Sequence, residues 1–228
     1  MKTKIETNLV DQIYNILREK IINLELKLGQ RIDIKGLAEE FGVSQTPVRE
    51  ALNRLTKDRL VNVIPRRGYY VVKLSAEDME EIYDIRKIFE SYALESAIKN
   101  IEVNKLRKLK QRMMEQLQGE VTEQRRKTKF ETDKKLHLLI IQSSYNKKLK
   151  EMYSQIYDFV KISQRMNPRF KKSLEEHIAL IDAILEKDLE KARKLLMLHI
   201  DNARDWGIKA LKDSFSEREE ERRVVLSR

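Results

Sequence analysis

Apolar side chains at Leu9, Ile13, Ile16, Leu17 and Ile21 recur at helical spacing, and the pattern predicts a first helix over about 8–24. Two shorter helices come next, near 34–41 and 44–58, separated only by Gly42 and Val43. Two short helices joined by a tight glycine-containing turn form a helix-turn-helix pattern. Ser44 is placed to cap the second of them, and Pro47 falls in its first turn, where a missing N–H costs nothing. Leu60–Ile64 and Tyr69–Val72 then read as two short strands around Pro65-Arg66-Arg67-Gly68. Three helices and a basic-tipped hairpin make a winged helix-turn-helix.

The pattern changes at Ser75. Ser75-Ala76-Glu77-Asp78 resembles a capping box and opens a long apolar-periodic region. Six helices are predicted there, over about 76–99, 102–118, 122–144, 147–165, 171–186 and 188–212. Glycine and proline are concentrated ahead of Ser75, and only Gly119, Pro168 and Gly207 punctuate the rest of the chain. The expected fold is therefore mainly α: a winged helix-turn-helix over 1–74, then an all-helical antiparallel bundle of about six helices over 75–213. Residues 214–228 form a tail of mixed charge without an apolar stripe, read as a solvated extension of the last helix or a frayed end. No internal repeat is present.

Composition sharpens this picture. The 228 residues carry 47 Lys+Arg against 37 Asp+Glu, a formal net charge of +10, with 41% hydrophobic residues, enough for a folded core. Residues 1–74 hold 14 Lys+Arg and 9 Asp+Glu, so half of that net charge lies in the first third of the chain. The balance points to a polyanionic partner, nucleic acid before membrane. No apolar run approaches the roughly 18 residues of a membrane span, and the charged N-terminus lacks the apolar stretch of a signal peptide. A soluble cytoplasmic protein is expected, with no membrane partner. The chain has no cysteine, which removes disulfides, thiolate zinc fingers, iron–sulfur clusters and cysteine nucleophiles.

In a helix-turn-helix the second helix enters the major groove, which makes Ser44, Gln45, Thr46 and Arg49 candidates for base edges and phosphates of double-stranded DNA. Arg and Gln suit bidentate contacts to guanine and adenine. Arg66 and Arg67 at the hairpin tip are placed for phosphate or a minor groove. The competing reading is a wing used for protein contacts.

Only three histidines occur, His137, His177 and His199. Asp133 lies one helical turn before His137, on a face continued by Phe130, Ile140 and Ser144. His177 lies in the stripe Leu174, Ile181, Ile184, Leu185, and His199 in the stripe Leu195, Asn202, Trp206. Any one of these imidazoles alone reads as a hydrogen-bonded core histidine. Three on core-facing stripes of three helices, with an inward carboxylate, require a shared partner, because buried charge must be paired. Three imidazoles and a carboxylate suit a divalent metal with open positions: zinc or nickel first, then manganese, cobalt or iron.

The segment Leu37-Ala38-Glu39-Glu40-Phe41-Gly42-Val43-Ser44-Gln45-Thr46-Pro47-Val48-Arg49-Glu50-Ala51-Leu52 closely resembles the N-terminal signature of GntR-family transcription regulators, and Leu60 to Tyr69 looks like that family's wing. By position, the resemblance implies DNA contacts at Lys35, Gln45, Thr46, Arg49, Arg66, Arg67 and Gly68. It departs from the family at Gln45, where Arg is usual, and at Arg59, where Gly is common. A left-handed Arg59 would cost about 1 kcal/mol. The body resembles the FCD ligand-binding domain of the FadR-type branch, through Ile82–Glu90, Phe130–His137 and Glu176–Ile184, with a helix count nearer the VanR-like subgroup. That likeness implies metal ligands Asp133, His137, His177 and His199. It also implies an effector-facing Arg86, whose alternative is a surface ion pair with Glu90; Asn202, one turn past His199, is a second candidate for the cavity wall.

The expected function is a homodimeric repressor, not an enzyme, that binds a palindromic operator and responds to a small carboxylate effector at the metal. The alternatives are a regulator whose signal is the metal itself, a structural metal, or a metal-dependent hydrolase. Against the hydrolase, all four candidate ligands would be engaged in coordination, and no general base stands beside them in sequence.

Overall fold

The computed structural model describes residues 9–166 and 169–226, with side chains as far as Asp213. It divides into two units, Met1–Leu74 and Ser75–Arg228.

The first unit contains α1 (Leu9–Ile22), α2 (Ile34–Phe41), α3 (Gln45–Lys57), β1 (Val61–Ile64) and β2 (Gly68–Val71). Helix α1 ends sooner than its apolar spacing suggested, and Leu24 just beyond it adopts a left-handed φ of 61°. The buried face of α1 is also rotated from the expected one: Val10, Ile13, Leu17, Ile21 and Ile22 are buried, while Leu9 and Ile16 are exposed. That face packs on α3, whose Val48, Ala51, Leu52 and Leu55 are fully enclosed. Asp33 caps α2 by accepting the Lys35 N–H at 3.1 Å. Gly42 closes α2 at φ 65°, a conformation that favours glycine, and the Val43 N–H returns to the Ala38 carbonyl. Ser44 occupies the N-cap of α3 with extended backbone but makes no capping hydrogen bond, contrary to expectation; its side chain is exposed.

The hairpin pairs antiparallel from Val61↔Val71 to Ile64↔Gly68, one residue offset from the expected strands. Its tip is a turn in which the Arg67 N–H donates to the Ile64 carbonyl, with Pro65 and a left-handed Arg66 (φ 62°) at the central positions. That is type II geometry, with arginine where glycine would be cheapest. Arg59 is also left-handed, at φ 61°, as anticipated. The chain ahead of α2 adds to the outer edge of β2 through Gly29, Gln30 and Ile32, a pairing the strand pattern did not reveal.

The second unit is a helical bundle: α4 (Ala76–Asn100), α5 (Val103–Leu117), α6 (Glu123–Gln142), α7 (Lys147–Met166), α8 (Phe170–Leu185) and α9 (Leu189–Leu226). Ser75 and Asp78 form the reciprocal capping box that opens α4. Helix α4 is central and touches α6, α7, α8 and α9. Helix α9 runs past 212 to Leu226, so the backbone of the tail continues the last helix, one of the two readings of it, and Gly207 lies inside the helix. A Cβ at Gly207 would stand 2.6 Å from Ser163 Oγ and 2.9 Å from Met79 Cε, so glycine here permits close packing onto α7 and α4. The state of the charged side chains from Ser214 onward lies outside the described residues, as do Pro168 and residues 1–8. No helix among the described residues is long and apolar enough to cross a membrane.

Candidate metal centre and nucleic-acid face

The bundle interior brings the three histidines together. His137 comes from α6, His177 from α8 and His199 from α9, and all three are buried. Their Nε2 atoms face one another, His137 to His177 at 3.3 Å and His177 to His199 at 3.0 Å. Asp133 aims at the same point, with carboxylate oxygens 3.5 Å from His137 Nε2 and 3.7 Å from His177 Nε2. The stripe expected for His199 was misplaced around the helix. Ala192, Leu196, Ile200 and Ala203 accompany it inside, whereas Trp206 is exposed.

Carboxylates back the two outer histidines. His137 Nδ1 donates to Glu90 Oε2 at 2.6 Å, and His199 Nδ1 donates to Glu176 Oε2 at 2.9 Å. A carboxylate can only accept, so each ring carries its proton on Nδ1 and turns an Nε2 lone pair inward. The Nε2 proton of His177 is then shared between two lone pairs, and its Nδ1 has no hydrogen-bond partner among the described residues. Burial, opposed by Asp133, holds His177 well below the ordinary imidazole range; burial and neighbouring His137 do the same to His199. Buried imidazoles whose three Nε2 atoms converge are the donor set a divalent cation of the zinc or nickel type requires, once the His177 proton moves to its unpartnered Nδ1. The residues fit the ion.

Sequence reasoning named Arg86, its partner Glu90 and Asn202 but missed the contacts of Glu90 and Asn202 here, and it did not single out Lys129, Tyr153, Gln164, Arg169 or Glu176. Glu90 Oε1 accepts from Arg86 Nε at 2.6 Å and from the Tyr153 hydroxyl at 2.7 Å. Burial alone would raise the Glu90 carboxyl; Arg86 and His137 outweigh it and hold it below the usual carboxylate range. Asp133 is similar: burial raises it, while His177, Lys129 and His137 bring it well down. Lys129 Nζ and Gln164 Nε2 donate to its two oxygens at 3.2 and 2.7 Å. Glu176 is held by Arg169 and by Asn202 Nδ2 at 2.9 Å. Asn202 thus grips the carboxylate behind His199. One signal for Glu90 was available: Tyr83, Arg86, Glu90, Ala93 and Ala97 share one inward stripe of α4, with an opposite-charge pair embedded in it.

Arg86 makes the ion pair with Glu90 that one sequence reading gave it, but fully buried and not on the surface. Its Nη2 reaches His137 Nε2 at 2.9 Å, and its Nη1 has no hydrogen-bond partner among the described residues.

In the first unit, Lys35, Gln45, Arg49, Arg66, Arg67 and Gly68 line one cleft of about 490 Å³ between the start of α2, the start of α3 and the hairpin tip. Ser44 and Thr46 are exposed but do not line it. Arg31, which the sequence did not single out, adds a fourth arginine to the wall. Gln45 Oε1 accepts from Arg49 Nη2 at 3.3 Å, so the two side chains are presented together.

Comparisons with known proteins agree with this layout. Residues 9–71 match the model of the bacterial regulatory proteins of the gntR family, and residues 81–202 match the FCD domain. The chain belongs to the GntR family. This GntR regulator is 30% identical over 196 residues to the HTH-type transcriptional regulator YdhC of Bacillus subtilis (strain 168), covering 84% of the chain and 87% of the relative. The solved structure of Escherichia coli McbR/YncC superposes with a TM-score of 0.69 at 26% identity, over 91% of this chain and 98% of that one. The zinc-bound FCD domain of TM0439 matches with a TM-score of 0.51 at 26% identity, over 60% of this chain and 96% of that domain. The relatives are named as transcription regulators, and this protein is a GntR/FCD transcription regulator with a DNA-binding helix-turn-helix.

Proposed function

We propose that this regulator represses transcription as a homodimer on a palindromic operator, and that a small carboxylate effector controls its affinity by binding beside a divalent metal in the FCD domain. The observation that carries the reading is the convergence of three buried Nε2 atoms, two of them backed by carboxylates on Nδ1. Asp133, His137, His177 and His199 would hold the ion, which would supply a Lewis-acidic anchor for one effector oxygen. Arg86 is the residue to pair with the effector carboxylate, and its Nη1 is a donor available for that purpose. The zinc in the related TM0439 domain favours zinc among the candidate ions.

Lys35, Gln45, Arg49, Arg66, Arg67 and Gly68, with Ser44 and Thr46 beside them, form the operator-reading face. Two such faces in a two-fold dimer would read half-sites about one helical turn apart. The effector acts by binding the DNA-competent and DNA-incompetent arrangements unequally. Fluorescence anisotropy with DNA from upstream of the protein's own coding region tests this reading. Affinity should fall when small organic acids are added to metal-loaded protein, and the response should vanish in His177→Ala. An acid response that survives removal of the metal would overturn it.

A further inference from the structure

A guanidinium stands where the metal must act. Arg86 Nη2 lies 2.9 Å from His137 Nε2, the lone pair that faces His177 and Asp133. Two contacts fix that lone pair's direction independently: the Nδ1 proton goes to Glu90, and the guanidinium, which can only donate, occupies Nε2. His137 Nε2 has one lone pair. In this structure it accepts from Arg86 and faces the His177 N–H, and a metal must displace both.

We infer that Arg86 is a built-in competitor of the metal, and that metal loading releases it to become an anion clamp. The inference rests on the metal reading above and adds a coupling to it. The charges support it. Arg86 and Lys129 already balance Glu90 and Asp133, and Arg169 balances Glu176, so a divalent ion adds two uncompensated positive charges to a buried site. Bringing in an oxyanion to neutralise them is favourable where bulk water is excluded. The released guanidinium keeps Nε on Glu90 and presents Nη2 together with Nη1, which has no partner among the described residues, as a two-pronged fork of the kind carboxylates accept. Without metal, one prong is held by His137 and the fork is closed. Metal and carboxylate therefore bind with positive coupling, and by linkage each raises the affinity of the other by the same factor.

The test uses the full chain, with zinc as the metal and acetate as the anion. Zinc affinity is measured by competition against a chromophoric chelator in a buffer free of carboxylate and phosphate, and acetate binding by the shift it causes in melting temperature. In the wild type, acetate should shift the melting of zinc-loaded protein and leave metal-free protein unchanged. Arg86→Met should bind zinc about tenfold more tightly, within the usual range of coupling between sites, and should lose the acetate shift. Removing Arg86 alone leaves Glu90 buried without its cation, so the same substitution is also made on a Glu90→Gln background, where no carboxylate is stranded. There too, adding Arg86→Met should raise zinc affinity relative to Glu90→Gln alone. A folded Arg86→Met with unchanged or weaker zinc binding, in both backgrounds, overturns the competition and leaves the metal reading standing. A wild type that takes up no zinc overturns both.

Discussion

Glu90 and His137 meet across α4 and α6, with the carboxylate Oε2 2.6 Å from the ring Nδ1, and that contact decides which nitrogen of His137 faces the centre of the bundle. Glu176 stands to His199 in the same relation at 2.9 Å. If these carboxylates orient metal ligands, removing their charge without changing their shape must weaken the metal. Glu90→Gln or Glu176→Gln should lower zinc affinity by about 10- to 100-fold while the helix content stays as in the wild type. Unchanged zinc affinity in both variants would count against the orienting role.

The pH dependence of the metal-free protein arises from the same burial. His177 and His199 are held well below the ordinary value of 6.5 when folded, so the unfolded chain binds more protons as pH falls below that value. Stability is then greatest above about pH 6.5 and declines as pH drops, by up to about 1.4 kcal/mol per pH unit for each ring. Asp133 and Glu90, whose carboxyls are also depressed, add a second loss below about pH 4. Thermal melts of metal-free protein between pH 7.5 and 5.5 should show the first loss; zinc should raise the melting temperature without removing that loss, because it too binds the deprotonated rings. A melting temperature flat across that range would contradict the buried neutral histidines.

On the DNA side, Arg49→Ala should weaken operator binding by about 1–3 kcal/mol and relax base preference at one position, if Arg49 reads a base edge. Arg66→Ala should weaken binding to all sequences alike and reduce the slope of log affinity against log salt by about 1, as expected for one lost phosphate contact. Gln45→Arg should change the preferred base, since the two side chains suit adenine and guanine respectively. An operator affinity indifferent to both alanine substitutions would remove the cleft from the interface.

Packing makes its own prediction at Gly207. Alanine there would gain about 1 kcal/mol of helix propensity, but its Cβ would press on Ser163 Oγ, which is hydrogen-bonded to the Tyr83 hydroxyl at 2.7 Å. Overpacking of this kind costs about 1–3 kcal/mol, so Gly207→Ala should lower the melting temperature. A rise in melting temperature would mean that Ser163 and Met79 yield easily.

Much of this protein was legible in its residues. The helix-turn-helix, the hairpin and the six-helix body are written in spacing and in turn residues such as Gly42 and Pro65, because these act locally. The three histidines and Asp133 were legible as a set because each sits in an inward stripe of its own helix. What spacing could not carry is the rotation of a helix about its axis where apolar residues lie on two sides. On α1 the pattern admitted Leu9 and Ile16, which are exposed, and on α9 it admitted Trp206. The pairing of the carboxylates with the histidines was invisible for another reason. Glu90 reaches His137 across 47 positions and Glu176 reaches His199 across 23, and no local pattern records such pairings.

The central claim is that one divalent ion is held by His137, His177 and His199 with Asp133. Elemental analysis of the purified full chain, after incubation with zinc and removal of excess by gel filtration, tests it most directly. One zinc per chain in the wild type, lost in His177→Ala with the helical circular-dichroism signal retained, is the predicted result. A well-folded wild type that emerges without zinc would contradict it.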